Sequence, residues 1–260
     1  MNLGVTTLGR QGVNAIDEVG GMAILFGRFL VALSGLPRSF RLYVEQVYSL
    51  GVRSLPLIVI ISVFVGAVSA WQGAYQFSFI GAPLRFLGQA VGKAVVIELA
   101  PVLTALVMTG KVGAAIAAEI GSMRVSEQLD ALSSMSVEPE EFLYLPRIAA
   151  GVVAFPLLTI FANVVGIGSA WFFNWLRNGI HYHTFFNNIR SYFQTFDLLS
   201  GIVKAIVFGF VITSLACFFG DRTRGGAEGV GRSTMLTVVY SAVWVLVMDF
   251  IVAFVILGSV

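Results

Sequence analysis

The sequence predicts an all-α integral membrane protein: five transmembrane helices, an N-terminal interfacial helix and one amphipathic helix outside the bilayer. The prediction starts from composition. Hydrophobic residues make up 57% of the 260 residues and charged residues only 12%, with a mean hydropathy of +0.89, whereas about a quarter of a typical soluble domain is charged. Too few polar residues remain to cover a water-exposed surface, so a soluble single-domain enzyme is excluded.

Five apolar stretches are long enough to cross a membrane. A hydrocarbon core of about 30 Å needs about 20 residues of helix. The stretches that meet this length are residues 54–84, 86–109, 148–176, 198–220 and 233–260. We therefore expect one domain over 1–260, in which a five-span bundle, 54–260, follows an N-terminal part, 1–53.

The N-terminal part contains a shorter apolar stretch, 21–35, with Arg28 near its centre. Asp17, Glu18 and Arg38 flank this stretch, a pattern that favours a helix lying in the membrane interface over a sixth span. The chain does not open with an apolar core followed by a small-residue cleavage site. We therefore expect the spans themselves to direct insertion into the membrane.

Basic residues outside the spans predict the orientation. With the N-terminus inside, eleven basic residues lie on the cytoplasmic side and only Arg85, Arg177 and Arg190 on the outer side. This positive-inside bias predicts a cytoplasmic N-terminus and a C-terminus outside. The outer loop 177–197 is rich in aromatic residues, and we expect a short helix there, resting on the membrane surface or on a partner.

Four ionisable side chains lie inside the predicted spans: Lys93, Glu98, Lys204 and Asp249. Each costs roughly 2.5–3.5 kcal/mol near a helix centre, so each needs a partner or a wet cavity. Two acids and two bases allow full pairing across the second, fourth and fifth spans. Three interpretations remain open: a polar cluster that lines or gates a cavity, an ionic tie that only fixes packing, and the proton sites of a carrier. The lysines could also extend to the interface.

Small residues recur at helical spacing in the first two spans. Such patterns allow close contact between helices, either within one chain or across a dimer. In the second span Pro101 weakens the helix just after Glu98 and could open a cavity. The small residues are Ser62, Gly66, Ala70 and Ala74 in the first span, and Gly88 with Gly92, a GxxxG pair, in the second.

The long stretch 110–147 predicts a helix over about 114–135, on the cytoplasmic side of the membrane. An amphipathic helix outside the bilayer needs a cover for its apolar face. Six acidic residues against three basic ones argue against anionic lipid as this cover, so a soluble protein partner is favoured. The apolar face holds Val125, Leu129 and Leu132, and another face holds Arg124, Glu127 and Asp130.

The chain has no motif for catalysis or for a resident cofactor. It lacks a GxxxxGK[ST] loop for ATP phosphates, and the glycine-rich stretch 221–232 is expected to be a flexible inner loop. The single Cys217 offers no disulfide pairing within the chain and no cysteine metal site. His181 and His183 lack a third metal ligand. A net charge of +2 without a basic run argues against nucleic acid.

Segment 110–147 resembles the MlaE family of ABC transporter permeases, which move phospholipids across Gram-negative envelopes. Outside it, the ELAP sequence at 98–101 resembles the family's acidic-Leu-Gly-Pro element, and Gln72 with Gly73 its Gln-Gly at the end of the first span. Lys111, Ser136 and Glu138 stand where arginine, glycine and aspartate are usual, and Ile97 where some relatives have a basic residue. The matching residues of the segment are Gly110, Gly113, Ala118, Glu119, Gly121, Met123, Arg124, Glu127, Gln128, Asp130, Ala131, Leu132, Pro139, Pro146 and Arg147.

The resemblance implies a homodimer of five-span subunits in the bacterial inner membrane, with the C-terminus in the periplasm. The helix at about 114–135 would be a coupling helix docked on a separate cytoplasmic ABC ATPase, which would bind ATP and Mg. A periplasmic MCE-domain protein would form a lipid conduit, and a small STAS-domain protein would bind the ATPase. Implied lipid-cavity or gating residues are Gln72, Glu98, Lys204 and Asp249; implied ATPase-coupling residues are Glu119, Met123, Arg124, Glu127, Leu129, Asp130 and Leu132.

The leading hypothesis is the permease subunit of an ATP-driven ABC transporter that moves phospholipids between inner and outer membranes. One alternative is a proton-coupled secondary carrier that uses Glu98 and Asp249. Another is a membrane scaffold that transports nothing. The first is favoured because carriers rarely have one long amphipathic inner loop between only their second and third spans.

Overall fold

Residues 40–257 are described in the computed structural model of the chain, and over that range every regular element is a helix. Five helices are long and apolar enough to cross a membrane, which confirms the predicted fold class. The chain is therefore a multi-pass membrane protein. The interfacial helix predicted over 21–35 lies outside the described residues.

The described part of the chain contains ten α-helices, numbered here in chain order. Short turns extend or join them: 3-10 turns at Val52–Ser54 and Leu84–Phe86, and π-helical turns at Val95–Leu99, Thr109–Gly113 and Glu140–Tyr144. The helices are α1 (Phe40–Leu50), α2 (Leu55–Phe79), α3 (Leu87–Ala94), α4 (Ala100–Met108), α5 (Ala114–Val125), α6 (Gln128–Ser134), α7 (Leu145–Asn178), α8 (Tyr182–Tyr192), α9 (Thr195–Asp221) and α10 (Gly226–Leu257).

The five spans follow from these helices. Span 1 is α2, the apolar part of the longer helical stretch Arg41–Phe79. Span 2 runs from the 3-10 turn at Leu84–Phe86 through α3, α4 and α5 with their π turns. Span 3 is the third π turn with α7, span 4 is α9 and span 5 is α10. Successive spans run in opposite directions, so the bundle has two ends. We call them the α6 end, where Arg53 accepts a hydrogen bond from Lys111, and the α8 end, where Arg177 stacks on Trp71.

Span 2 extends further than the sequence predicted. Its helix runs without interruption from Leu84 to Val125, and α5 packs inside the bundle with Ile116, Ala117 and Ile120 buried. The chain then breaks at Glu127, whose φ of 59° is left-handed. The single exposed helix predicted over about 114–135 is therefore wrong: its first half belongs to span 2, and only the short α6 is separate.

The small residues make their close contacts within the chain. A methyl group added at Gly66 would overlap the backbone carbonyl of Gly166 in span 3. One added at Gly88 would lie 2.6 Å from the carbonyl oxygen of Phe185, and one at Gly92 would lie 3.2 Å from Ile189. The faces of spans 1 and 2 that carry these glycines thus pack closely against α7 and α8, respectively.

Burial differs strongly between the spans. In the most apolar stretch of span 4, 67% of the residues are buried, but only 11% in that of span 5. Spans 2, 3 and 4 therefore form the interior of the bundle, and spans 1 and 5 lie outside it. The aromatic helix expected in the outer loop is α8, and its Phe185 is fully buried against α3. It rests on its own chain.

Candidate functional site

Three charged side chains from three different spans meet inside the bundle. Lys204 of span 4 is fully buried, and its Nζ lies 2.6 Å from Oε1 of Glu98 in span 2 and 2.8 Å from Oδ1 of Asp249 in span 5. Two carboxylates thus share one ammonium group. We call these three residues the charged triad; its formal charge is −1 when all three are ionised.

Local backbone geometry brings Lys204 to Glu98. Glu98 lies in the π turn Val95–Leu99, directly before the proline-containing start of α4, and such single π turns are common at functional sites. One turn before Lys204, Gly201 lets span 4 approach span 2 so closely that an added methyl group would lie 2.5 Å from the carbonyl oxygen of Val96. Because the two helices are this close, the side chain of Lys204 is long enough to reach the carboxylate of Glu98.

The three members of the charged triad differ in exposure. The side chain of Lys204 is sealed at 0% exposure, whereas Asp249 is 21% and Glu98 43% exposed. A carboxylate that faced hydrocarbon would be expensive, so this side of the triad requires a polar cavity or a protein cover. The arrangement thus has a closed cationic centre and an open anionic face.

Lys93 does not join the charged triad. Its Nζ lies 3.1 Å from Oδ2 of Asp197, so the full pairing that the four intramembrane charges allow is not formed. Asp197 also accepts a hydrogen bond from the backbone N–H of Gln194 at 3.0 Å, which forms a capping box at the start of α9. Sequence reasoning missed Asp197, because Gln-x-x-Asp departs from the usual Ser/Thr-x-x-Glu/Gln pattern of a capping box.

Gln72 lies on the exposed surface of span 1, near the α8 end. Within residues 40–257 it makes no hydrogen bond with any member of the charged triad. The sequence-predicted set of cavity residues is therefore brought together only in part: Glu98, Lys204 and Asp249 meet, and Gln72 remains apart.

A second buried cation lies at the α6 end. The side chain of Arg147 is 4% exposed, and its Nη2 lies 2.8 Å from Oε1 of Glu119. Its Nη1 donates to the carbonyl oxygen of Leu143 at 3.0 Å. Next to it, the hydroxyl of Tyr144 donates to Oδ1 of Asp221 at 2.8 Å. These contacts join spans 2, 3 and 4 beside the start of α6.

An ion pair bridges the break between α5 and α6. Nη1 of Arg124 lies 2.9 Å from Oδ1 of Asp130, with Glu127 exposed between them. On the other side of α6, Leu129 is only 1% exposed. Of the apolar face expected to dock on a partner, the chain itself therefore covers Leu129 fully and Leu132 partly, whereas Val125 is 39% exposed. Met123 is also partly buried against the same core.

The α6 end leaves several carboxylates accessible. Among the residues predicted to couple to an ATPase, Glu119 has 57% and Asp130 65% of its side chain exposed, and Glu127 is exposed as well. The apolar side chains of Val125 and Met135 are also exposed, at 39% and 74%. A partner that docks on α6 would therefore meet carboxylates together with these two apolar side chains.

Comparison with known proteins gives consistent matches. Residues 43–255 match the family model described as "Permease MlaE". A Haemophilus influenzae protein named intermembrane phospholipid transport system permease protein MlaE is 33% identical over 258 residues, which is 98% of each chain. A probable ABC transporter permease protein of Rickettsia bellii is 32% identical over 251 residues, 95% of each chain. One of Synechocystis is 37% identical over 206 residues, 79% of this chain and 78% of the relative.

Proposed function

This chain belongs to the MlaE permease family, and from that premise we propose that it is the membrane-spanning subunit of an ATP-driven ABC transporter that moves phospholipids between the inner and outer membranes. The observation that best supports this function is the charged triad, a sealed ammonium group with two partly open carboxylates inside an apolar bundle. The name of the Haemophilus relative, which specifies intermembrane phospholipid transport, supports phospholipid as the substrate.

The open side of the charged triad supports a homodimer. Glu98 keeps 43% of its side chain exposed at a depth where a single copy would face lipid, and that exposure is costly in hydrocarbon. A second copy packed over spans 1, 2 and 5 covers the carboxylate and encloses a cavity between the subunits. In this proposal Glu98, Lys204 and Asp249 line or gate the lipid cavity, and Gln72 lines it from span 1.

The cavity also needs an apolar part for the acyl chains. A narrow crevice with a free volume of only about 10 Å³ lies between spans 1, 2 and 3, and its lining includes Val95 and Leu99 of the π turn that carries Glu98. Apolar residues such as Ile58 and Val65 form most of its wall. The crevice is too small for an acyl chain, so in this proposal the acyl chains lie in the space between the two subunits, against this apolar wall.

The α6 end is proposed to dock on a cytoplasmic ABC ATPase, which binds ATP and Mg because this chain has no loop for them. The exposed carboxylates of Glu119, Glu127 and Asp130 are the proposed contacts, with Arg124 holding Asp130 in place. Met123, Leu129 and Leu132 act from inside by supporting α6. The N-terminus is then cytoplasmic and the C-terminus periplasmic, in a bacterial inner membrane.

The remaining partners are proposed on the family resemblance. They are a periplasmic MCE-domain protein at the α8 end, which forms the lipid conduit, and a small STAS-domain protein bound to the ATPase. Mild-detergent purification of the chain from its own membranes, followed by mass spectrometry, tests the whole assembly. We expect an ABC ATPase, an MCE-domain protein and phospholipid. Recovery of the chain alone in several detergents, with uptake driven by a proton gradient, would support the carrier instead.

Docking is tested by a double variant, Gln128→Arg with Ala131→Arg, on the exposed side of α6. It offsets the negative charge of the surface around the carboxylates, and we expect loss of ATPase co-purification with normal membrane insertion. The control is Asn187→Arg, an exposed position on α8 at the opposite end. Equal ATPase recovery from both variants would contradict the docking proposal. Leu129 is unsuitable because a charge there would disturb the core.

A further inference from the structure

A polar cleft opens at the α6 end, between the end of α5 and the loop that joins spans 4 and 5. Arg124, Asp221, Arg222 and Arg224 line this cleft, whose volume is about 560 Å³. Three guanidinium groups against one carboxylate give it a formal charge of +2. A cleft of this charge attracts anions.

Two of the four lining residues already have partners. Asp221 accepts a hydrogen bond from the hydroxyl of Tyr144 at 2.8 Å, and Arg124 pairs with Asp130 at 2.9 Å. Arg222 and Arg224 form no ion pair with any carboxylate of residues 40–257. The uncompensated positive charge of the cleft therefore belongs to Arg222 and Arg224.

The loop that holds these arginines is anchored. Thr223, between them, is 3% exposed, and its Oγ1 lies 2.9 Å from Oγ of Ser233 in span 5. A methyl group added at Gly121 of span 2 would lie 2.8 Å from the same Oγ1. The loop is thus fixed between spans 2 and 5, which differs from the flexible loop that its glycines predicted.

One of the two guanidinium groups is also held by an aromatic ring. The guanidinium carbon of Arg222 lies 4.1 Å from the ring centroid of Phe218, in the last turn of α9. This cation–π stacking orients the guanidinium plane and leaves its N–H edge free for a ligand. Because the side chain is already ordered, less conformational entropy is lost when an anion binds.

The depth of the cleft identifies the class of anion. Helix α9 has 27 residues, and at about 1.5 Å per residue it is about 40 Å long. A bilayer with its headgroup layers measures about 40–45 Å. Asp221 and Arg222, at the end of α9, therefore lie at the level of the lipid headgroups, where phosphate is the abundant anion.

We propose that this cleft is a binding site for the phosphate of an anionic phospholipid in the leaflet at the α6 end. Arg222 and Arg224 donate to the phosphate oxygens, for which a guanidinium fork is well suited. Arg124 also lines the cleft, but its charge is balanced by Asp130. The site is separate from the charged triad. It goes beyond the proposed transport function and does not depend on it, because binding requires neither an ATPase nor lipid movement.

Binding is measured on the purified full-length chain in detergent by native mass spectrometry with phosphatidylglycerol or phosphatidylcholine added. We expect selective retention of phosphatidylglycerol, and a loss of about tenfold or more in affinity for the variant Arg222→Gln with Arg224→Gln. The control is Arg232→Gln, an exposed arginine at the same end that does not line the cleft. If the double variant is unstable, Arg224→Gln alone keeps the Phe218 stacking and is expected to weaken binding.

Several outcomes would overturn the proposal. If the double variant retains as much phosphatidylglycerol as the wild type, the cleft is not the binding site. If Arg232→Gln loses as much phosphatidylglycerol as the double variant, binding reflects only the general surface charge. Displacement of the lipid by millimolar inorganic phosphate assigns the site to soluble phosphate. Unchanged lipid binding together with loss of ATPase co-purification in the double variant assigns the cleft to a protein interface.

Discussion

Two cations are buried among residues 40–257, and their surroundings differ. Lys204 is fully enclosed and lies between two carboxylates from two other spans. Arg147 has one carboxylate partner, Glu119, whose side chain is 57% exposed, and its other contact is the carbonyl of Leu143 in its own span. The first cation therefore compensates charge within the membrane, and the second fixes a carboxylate at the membrane edge.

Depth explains the difference. Lys204 is the tenth residue of α9, about 14 Å along the helix at about 1.5 Å per residue, and therefore within the hydrocarbon layer. Arg147 lies just before the uncharged stretch 148–176 of span 3, where water is close. Removing Arg147 leaves the carboxylate of Glu119 at the membrane edge, whereas removing Lys204 leaves those of Glu98 and Asp249 at the depth of the hydrocarbon layer. We therefore expect removal of Lys204 to lower the free energy of unfolding more than removal of Arg147.

The largest expected effect is that of Lys204→Met. It removes the ammonium group between two carboxylates, and breaking a buried pair from one side costs about 3–5 kcal/mol. We expect a large fall in the thermal unfolding midpoint and a low yield of monodisperse protein. Lipid transfer by the remaining folded protein should also fall, since the charged triad is lost.

A matched triple variant sharpens this test. Lys204→Met combined with Glu98→Gln and Asp249→Asn removes all three charges, so no unpaired ion remains. We expect most of the stability to return while lipid transfer stays low. Wild-type stability of Lys204→Met alone would contradict the pairing, and full transfer by the triple variant would reduce the charged triad to a packing element.

Arg147→Met should be less harmful. It leaves the half-exposed carboxylate of Glu119 to water, so the expected cost is about 1.5–3 kcal/mol, the usual range for hydrogen bonds of charged groups. Arg147→Lys keeps a positive charge near Glu119 and should recover part of the loss. Unfolding midpoints of the three proteins measure this. A cost equal to that of Lys204→Met would mean that depth does not separate the two cations.

The same comparison marks what the sequence could predict. Composition and the lengths of the apolar stretches identified the five spans and the three members of the charged triad, because a charged residue inside an apolar stretch can be recognised from the sequence alone. Which of these charges pair was not predictable, since it depends on which faces of the helices are in contact. Lys93, for example, pairs with Asp197, which lies just outside the stretch 198–220 that was predicted to be the fourth span. The break at Glu127 also has no sequence signal, because a left-handed glutamate needs tertiary contacts to hold it.

The small effects concern the pair that lies nearest the membrane surface. The side chain of Lys93 is 34% exposed, so its attraction to Asp197 is screened and is expected to contribute only about 0.2–1 kcal/mol. Asp197→Asn removes that attraction but keeps an oxygen that can accept the N–H of Gln194, whereas Asp197→Ala also removes the cap, at about 0.5–2 kcal/mol more. Unfolding midpoints should therefore fall in the order wild type, Asp197→Asn, Asp197→Ala.

The control is Lys93→Met, which measures the contribution of the ion pair alone to the unfolding midpoint, since it leaves the cap intact. If Asp197→Asn lowered the unfolding midpoint as much as Arg147→Met, the ion pair of Lys93 would be as important for stability as that of a buried cation. The exposure of the side chains would then not predict the order of the three sites in stability.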